Sequence, residues 1–267
     1  MRHPYFDLPT PIVIGHRGAA GAAPENTLES FRRGIADGAA IVETDLHATR
    51  DGALVLLHDD DVARTTDGAG LVATLTLSQV KRLDAGHRFA ADGGFPWRGK
   101  GARIPTLEEA FAALPGVRFN IEIKEAAPGV VERTLETVAR AGRAGLTLLA
   151  AEKDAIMAGI REAVARTGTK VAIGACVGEV LRCVRAALDG TAAPEGVMAL
   201  QIPADFGGRP VVTPELMRFA HANEIQVHVW TINDPARMHA LLDLGVDGII
   251  SDHPARVRDV VKERAPA

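Results

Sequence analysis

Residues 11–18 read PIVIGHRG, and this stretch joins a short strand to a polar loop. Residues 11–14 form an apolar, β-rich run, which predicts a buried strand. The next apolar residues, at 27–37, have helical spacing, and Asn26 before them is the predicted helix N-cap. The stretch therefore predicts a strand–loop–helix unit whose strand ends in charged residues.

The same unit recurs along the chain. Helical patterns separate eight apolar runs that predict strands, at residues 11–14, 40–46, 118–123, 146–150, 170–175, 197–202, 225–230 and 248–251. A further run, 53–57, follows an Asp-Gly turn and is predicted to be a hairpin arm. Eight such units with near-continuously apolar strands predict an α/β fold, a closed TIM-type (β/α)₈ barrel. A doubly wound sheet would carry a glycine-rich dinucleotide turn after its first strand, and that spacing is absent here.

Residues 59–103 interrupt this alternation. They are rich in Gly, Asp and Arg and contain one weak helical pattern, at 77–83. Because long loops in compact domains are commonly functional, we interpret the segment as a rim insertion between the second and third barrel strands. Residues 1–267 are accordingly predicted to form a single domain.

Composition limits the possible partners. Hydrophobic residues make up 47% of the chain and charged residues 24%, as in soluble globular proteins. The net charge of −4 argues against nucleic-acid binding. Cys176 and Cys183 have neither redox nor zinc spacing, and no apolar run approaches the ~18 residues of a membrane span. We expect a cytoplasmic protein without stable membrane association, and the sequence leaves its oligomeric state open.

Carboxylates are spaced two residues apart at the ends of predicted strands. Side chains at i and i+2 point to one face of a strand, so Glu43 lies beside Asp45, and Glu122 beside Lys124. Active sites of these barrels lie at the carboxyl ends of the strands. Three carboxylates converging there would repel one another without a cation, and Mg²⁺ and Ca²⁺ prefer oxygen ligands. Glu43, Asp45 and Glu122 are therefore the predicted ligands of one divalent cation.

The other polar residues at the strand ends suit a phosphodiester. Arg17 can bind phosphate oxygens with its planar fork, and Lys124 adds a point charge. His16 and His58 can supply a base and an acid near neutral pH, and which does which stays open. Trp230 ends the seventh barrel strand, where it could line the substrate.

Each of these residues also has a purely structural interpretation. A Glu-x-Asp strand is commonly a solvated face, Glu122 and Lys124 could be an edge ion pair, and Arg17 could cap a helix. Trp230 alone would more often be a core residue. Among the nine histidines, one is undecided (His228) and five are interpreted as structural: His47, His87, His221, His239 and His253. The convergence of the polar strand-end residues at one end of the predicted barrel favours a functional site, although it does not identify the reaction.

Several sequence blocks together resemble the glycerophosphodiester phosphodiesterase family. The blocks, in chain order, are GHRG at 15–18, PENT at 24–27, ETDL at 43–46, TRDG at 49–52, LHD at 57–59, IPTLEE at 104–109, IEIK at 121–124, WTIN at 230–233 and GVDGIISD at 245–252. The resemblance covers residues 12 to about 254. It is less typical at residues 202–210, which could shape the leaving-group side.

The resemblance implies hydrolysis of glycerophosphodiesters to sn-glycerol 3-phosphate and an alcohol. It implies His16 and His58 as the acid–base pair and Arg17 and Lys124 on the phosphate. Glu43, Asp45 and Glu122 would hold Mg²⁺ or Ca²⁺, and Trp230 would line the glycerol side. Attack by the neighbouring glycerol hydroxyl or directly by water both stay open. The alternatives are a lysophospholipase D-like lipid phosphodiesterase, for which Phe89, Phe95 and Trp97 are the candidate rim residues, and a non-catalytic phosphoester-binding barrel.

Overall fold

The computed structural model describes residues 3–91, 93–125 and 127–264, which form an α/β barrel. Its strands are β1 Ile12–Gly15, β2 Ile41–Ala48, β3 Leu54–Leu56, β4 Arg118–Ile123, β5 Thr147–Ala150, β6 Ala172–Ile173, β7 Ala199–Pro203, β8 Asp205–Phe206, β9 Arg209–Pro210, β10 Gln226–Trp230 and β11 Gly248–Ser251. Three of them lie outside the barrel: β3 pairs antiparallel with β2, and β8 and β9 form a separate hairpin. The predicted hairpin arm is therefore confirmed.

The eight remaining strands are parallel and follow the order β6-β5-β4-β2-β1-β11-β10-β7. At the seam between β6 and β7, the backbone N–H of Met198 donates to the carbonyl of Ile173 at 3.1 Å. This bond joins the two ends of the sheet, so the barrel is nearly closed. The predicted TIM-type barrel and all eight of its strands are confirmed.

Most helices connect successive strands on the outside, whereas one short helix lies in the segment 59–103 and another follows the last strand. The helices are α1 Leu28–Ala36, α2 Leu77–Val80, α3 Leu107–Ala113, α4 Val130–Arg140, α5 Asp154–Thr167, α6 Val177–Asp189, α7 Pro214–Ala222, α8 Pro235–Asp243 and α9 Pro254–Glu263. Their apolar faces pack on the outward side chains of the strands in two large clusters. Within the three described ranges, no helix is both long and apolar enough to cross a membrane.

The prediction that Asn26 caps the first helix is wrong. The N-cap is Thr27, whose hydroxyl accepts a hydrogen bond from the backbone N–H of Ser30. Asn26 has a φ of 56°, and its amide turns inward instead. It donates to Asp45 Oδ2 at 3.0 Å and accepts from the Thr44 hydroxyl at 2.6 Å. Asn and Thr are both good caps, so sequence spacing alone could not separate them.

The barrel interior changes from apolar to polar along its axis. Inward residues of the strands, such as Ile12, Ile41 and Leu148, form one buried cluster with Tyr5 and Phe6. Farther along the same strands, the alternation places acidic and basic side chains inside. Since the amino ends are filled with apolar side chains, a polar ligand can enter only from the carboxyl ends.

The described residues of the segment 59–103 place their apolar side chains beside β3. Val62, Val72, Val80 and Ala85 form a small buried cluster with residues that flank the segment. A 3₁₀ turn, Val62–Arg64, begins at Asp61, whose carboxylate accepts from the backbone N–H of Ala63. This turn lies against the loop that follows β1, because Arg64 at its end contacts Glu25 of that loop.

Candidate active site

Three carboxylates converge inside the barrel at the carboxyl ends of β2 and β4. Asp45 lies opposite Glu122 in the parallel register, and Glu43 precedes Asp45 on the same face. One oxygen from each of Glu43, Asp45 and Glu122 lies within 4.8 Å of the others. In the part of the chain that the structure describes, this is the group with metal-site geometry. The structure thus brings the three predicted ligands together.

Ionising all three carboxylates of this cluster is energetically unfavourable for the folded protein when no cation is bound. Burial raises the pKa of Glu43 to about 7, with Asp45 adding to the rise, although the neighbouring His16 and Arg17 oppose it. The backbone N–H of Arg17 donates to Glu43 Oε2 at 2.9 Å. Carboxylate oxygens are the ligands that Mg²⁺ and Ca²⁺ prefer, and a cation would remove the repulsion between them. The three residues therefore fit a divalent cation.

Two basic side chains flank the cluster on opposite sides of Asp45. Lys124 Nζ lies 3.3 Å from Asp45 Oδ1 and 3.1 Å from Glu122 Oε1. Arg17 Nε lies 3.4 Å from Asp45 Oδ2. Burial would lower the pKa of Lys124, but Asp45 and Glu122 raise it above its ordinary value, so the ammonium stays charged. Glu122 and Lys124 do form an ion pair, but inside the barrel mouth rather than at an edge.

The loop after β1 depends on glycine. A Cβ on Gly15 would lie 2.1 Å from the carbonyl oxygen of Gly18, and Gly18 itself has a φ of +92°. Arg17 between them has a φ of 48°, a left-handed conformation that is uncommon outside glycine and costs energy. The turn directs the Arg17 guanidinium onto Glu25 Oε1 at 2.8 Å and toward Asp45, not onto a helix end.

His16 is held by a carboxylate at the end of the last strand. Its Nδ1 lies 2.6 Å from Asp252 Oδ1, and Asn233 Nδ2 donates to the other Asp252 oxygen at 2.6 Å. Burial alone would lower the pKa of His16, but the bond to Asp252 and the charge of Glu43 raise it overall. Burial would raise the pKa of Asp252, but the contact with His16 and the hydrogen bond from Asn233 hold it below its usual range.

His58 has a matching partner. Its Nδ1 lies 2.7 Å from Asp59 Oδ1. Partial burial would raise the pKa of Asp59, but hydrogen bonds from Arg64 and His58 lower it to about 2. Both histidines therefore donate Nδ1–H to an ionised carboxylate, which leaves Nε2 as the nitrogen that can exchange a proton.

The remaining predicted residues lie where their strands place them. Trp230 ends β10 and is 43% exposed, so it is a mouth residue rather than a core residue. His228 lies below it in the barrel interior, with Nε2 3.0 Å from Gln226 Oε1. His47 is buried, and its Nε2 lies 3.2 Å from the carbonyl oxygen of His58. Of the other histidines interpreted as structural, His87 lies in the rim segment, and His221 and His239 lie on the outer helices. His253 directly follows Asp252 as the N-cap residue of α9, and its ring packs against Gly21 in the loop after β1.

Sequence reasoning gave no role to the carboxylates that hold the two histidines. Asp252 directly follows β11, so the strand-end rule that selected Glu43 could have found it. Asp59 is the neighbour of His58 and belongs to the LHD block at residues 57–59. Glu25 is likewise inside a block, but Arg64 carries no signal in the sequence. Only the folded rim segment brings Arg64 to the mouth.

A cavity of about 190 Å³ opens beside the cluster, toward β5. It shares His58, Glu122 and Lys124 with the site, and it is lined further by His47, Asp60, Ile123, Glu152, Lys153 and Ile156. Asp60, Glu152 and Lys153 are exposed at its rim. The cavity therefore has room for a second part of a substrate, beside the space between the carboxylate cluster and His58.

Comparison with known proteins points to one family. The sequence profile of the glycerophosphoryl diester phosphodiesterase family matches residues 16–256. A probable glycerophosphodiester phosphodiesterase 2 of Mycobacterium tuberculosis is 34% identical over 95% of this chain and 91% of its own. A glycerophosphodiester phosphodiesterase of Caldanaerobacter subterraneus is 32% identical over 94% of this chain and 98% of its own. An Oleispira antarctica phosphodiesterase, solved with the product sn-glycerol-3-phosphate, is 27% identical with a TM-score of 0.73, over 94% of this chain and 97% of that one.

Proposed function

Because this chain belongs to the glycerophosphoryl diester phosphodiesterase family and is a glycerophosphodiester phosphodiesterase, we propose a cation-dependent hydrolysis that yields sn-glycerol 3-phosphate and an alcohol. One observation carries the proposal: a cluster of three carboxylates has a positively charged side chain on either side, and two histidines held by carboxylates lie at the mouth. The product bound to the Oleispira antarctica phosphodiesterase supports the choice of sn-glycerol 3-phosphate.

Glu43, Asp45 and Glu122 are the proposed ligands of the divalent cation, Mg²⁺ or Ca²⁺. When bound, such a cation polarises the phosphoryl oxygens and offsets the charge that develops in the transition state. Arg17 and Lys124 are the proposed phosphate ligands. Both now contact Asp45, so each can exchange part of that contact for a phosphate oxygen without moving far.

His16 and His58 are the proposed acid–base pair. One imidazole takes a proton from the attacking oxygen as the new bond to phosphorus forms. The other gives a proton to the alcohol oxygen as its bond to phosphorus breaks, so one water is consumed in the complete reaction. Asp252 and Asp59 keep each Nδ1 protonated and fix the ring, so that the reacting nitrogen is Nε2 in both cases.

The two ends of the substrate would lie on opposite sides of the cluster. Trp230, on the β10 side, is the proposed wall for the glycerol carbons. The cavity beside β5 is the proposed position of the alcohol, because His58 and Lys124 line both the cavity and the site. The rim segment 59–103 supplies Asp59 and Asp60 to this side, and on this basis we treat barrel and segment as one catalytic domain.

The direct test measures sn-glycerol 3-phosphate release from glycerophosphocholine by chelator-treated protein to which Mg²⁺ or Ca²⁺ is returned separately. Restored release with either ion supports the proposal and identifies the cation. Equal release in chelator and in metal would overturn the cation dependence. Folding of the chelated protein is checked by circular dichroism, so that a loss of release caused by unfolding is not mistaken for cation dependence.

A second candidate substrate, a lysophospholipid, is favoured by exposed aromatic residues at the mouth. Phe206 lies on the β8–β9 hairpin that follows β7 and is 79% exposed, and Trp230 ends the neighbouring β10. These two exposed aromatic side chains, one on the hairpin after β7 and one at the end of β10, could contact an acyl chain. Release of choline from lysophosphatidylcholine, lowered by Phe206→Ala while release from glycerophosphocholine is kept, would support this candidate. Absence of choline release would remove it.

A further inference from the structure

Arg64 in the rim segment joins two carboxylates that each reach into the site. Its Nη1 and Nη2 donate to the two oxygens of Glu25 at 2.8 and 2.7 Å. Its Nε donates to Asp59 Oδ2, and its Nη2 also lies 3.3 Å from Asp59 Oδ1. The planar guanidinium thus binds Glu25 with one edge and Asp59 with the other, a geometry that a lysine cannot reproduce.

Each of these carboxylates has its second partner in the catalytic machinery. Glu25 Oε1 accepts from Arg17 Nη1 at 2.8 Å. Asp59 Oδ1 accepts from His58 Nδ1 at 2.7 Å. The contacts therefore run without a break from Arg17 through Glu25, Arg64 and Asp59 to His58.

The exposure of Arg64 limits what this arrangement adds to stability. Its side chain is 47% exposed, and solvent screens ion pairs at such sites. The geometry, in contrast, is well determined, because both carboxylates are bound at two oxygens. A planar fork held in this way restricts the orientation of its partners more than it stabilises the fold.

We propose that Arg64 is a positioning residue, which orients His58 through Asp59 and Arg17 through Glu25 and so couples the rim segment to the chemistry. This inference rests on the proposed roles of His58 and Arg17. Loss of Arg64 leaves both side chains in place but frees their carboxylate partners to reorient. The proton-transfer step and phosphate binding are then both weakened, although no group that contacts the substrate has been removed.

The test compares Arg64→Gln, Arg64→Lys and, as a matched control, Arg103→Gln. Arg103 lies in the same segment and donates to the carbonyls of Arg82 and Leu83, away from Glu25 and Asp59. Arg64→Gln is expected to lower kcat on the order of 10-fold and to raise KM, as loss of an orienting partner typically does. Melting temperature and cation affinity are expected to stay at wild-type values. Arg64→Lys should recover only part of kcat, and Arg103→Gln should leave kcat and KM unchanged.

The His58→Ala background separates positioning from general damage. If Arg64 acts through His58 and Arg17, adding Arg64→Gln to His58→Ala lowers the residual kcat by a smaller factor than in the wild-type background, while KM still rises because the Arg17 route is intact. Radiolabelled substrate can measure this residual rate. The same factor of loss in both backgrounds would overturn the proposal, as would a wild-type kcat in Arg64→Gln or a large fall in its melting temperature. If wild-type protein fails to turn over glycerophosphodiesters with either cation, the proposed function fails; if it turns over and Arg64→Gln matches it, only this inference fails.

Discussion

The Nδ1 atom of His16, at the end of the first barrel strand, lies 2.6 Å from Oδ1 of Asp252, which follows the last barrel strand 236 residues later. The two strands are neighbours in the closed sheet, and Gly15 lies opposite Ser251 in their register. The pairing of the first strand with the last therefore brings the histidine to its carboxylate. Glu43 lies near the same histidine, and its charge also raises the pKa of His16.

Asp252→Asn is expected to change the pH dependence of the enzyme. The aspartate raises the pKa of His16 against the effect of burial, so a neutral amide at this position should lower that pKa. The limb of the kcat/KM profile that reports His16 should then move to lower pH, whether His16 is the acid or the base. Steady-state rates from pH 5 to 9 measure the shift.

Glu263→Gln is the matched control for this change. It removes a carboxylate that lies 3.4 Å from His239 on the outer helices. Its profile should coincide with that of the wild type. A profile of Asp252→Asn that also coincides with the wild type would contradict the role given to this carboxylate.

His16→Ala and His58→Ala should each lower kcat by about 10²- to 10⁴-fold, the usual contribution of a general acid or base. Cation affinity should change little, since the carboxylate cluster is left in place. Activity is measured with saturating cation, and affinity is measured by calorimetry. His239→Ala, on the outer surface, serves as the control, and wild-type kcat in either site variant would exclude that histidine from the chemistry.

Glu43→Gln should abolish the stabilisation of the fold by the cation. It should also raise the free energy of unfolding that is measured in chelator. Burial and Asp45 raise the pKa of Glu43 to about 7, so its ionised form at pH 8 costs the folded state energy that the amide avoids. The wild type should gain about 2.7 kcal/mol of unfolding free energy at a cation concentration 100 times Kd, and the variant should gain none. Denaturant unfolding in chelator and in cation measures both effects.

Glu132→Gln is the control for the cation experiment. It neutralises a carboxylate of similar size that pairs with Arg166 on the outer helices at 3.0 Å. The control should keep the full response to the cation. A response of Glu43→Gln equal to that of the control would show that the cluster is not where the cation binds.

The alcohol cavity should prefer a primary ammonium to a quaternary one. Asp60 and Glu152 at its rim can accept hydrogen bonds from ethanolamine, whereas choline is typically held by the faces of Trp, Tyr or Phe rings, which the lining does not include. We expect kcat/KM to be higher for glycerophosphoethanolamine than for glycerophosphocholine. The ratio is measured by sn-glycerol 3-phosphate release from each substrate alone.

Two variants of the rim should move this ratio in opposite directions. Glu152→Gln should lower it and Lys153→Gln should raise it, each by roughly two- to fivefold, the effect of an exposed charge pair. If both variants leave the ratio unchanged, the alcohol lies outside this cavity.

Much of the architecture follows from the sequence because it depends on local patterns. Apolar runs of strand length separated by helical patterns predict a parallel barrel, and the strand-end rule then places Glu43, Asp45 and Glu122 at one mouth. The period of two along a strand explains why Glu43 and Asp45 share a face. Asn26 shows the limit of this reasoning, because Asn and Thr compete for the same cap and only tertiary contacts with Asp45 decided the outcome.

The barrel, its carboxylate cluster and the likeness to one family could be predicted from the sequence, since each rests on residue type and short spacing. Only the tertiary structure decided which carboxylates hold the histidines and how Arg64 reaches Glu25 and Asp59. Those contacts depend on the pairing of β1 with β11 and on the path of the rim segment. The physical reason is that a hydrogen bond requires two atoms within about 3 Å, and no local pattern fixes the separation of residues joined only by the fold.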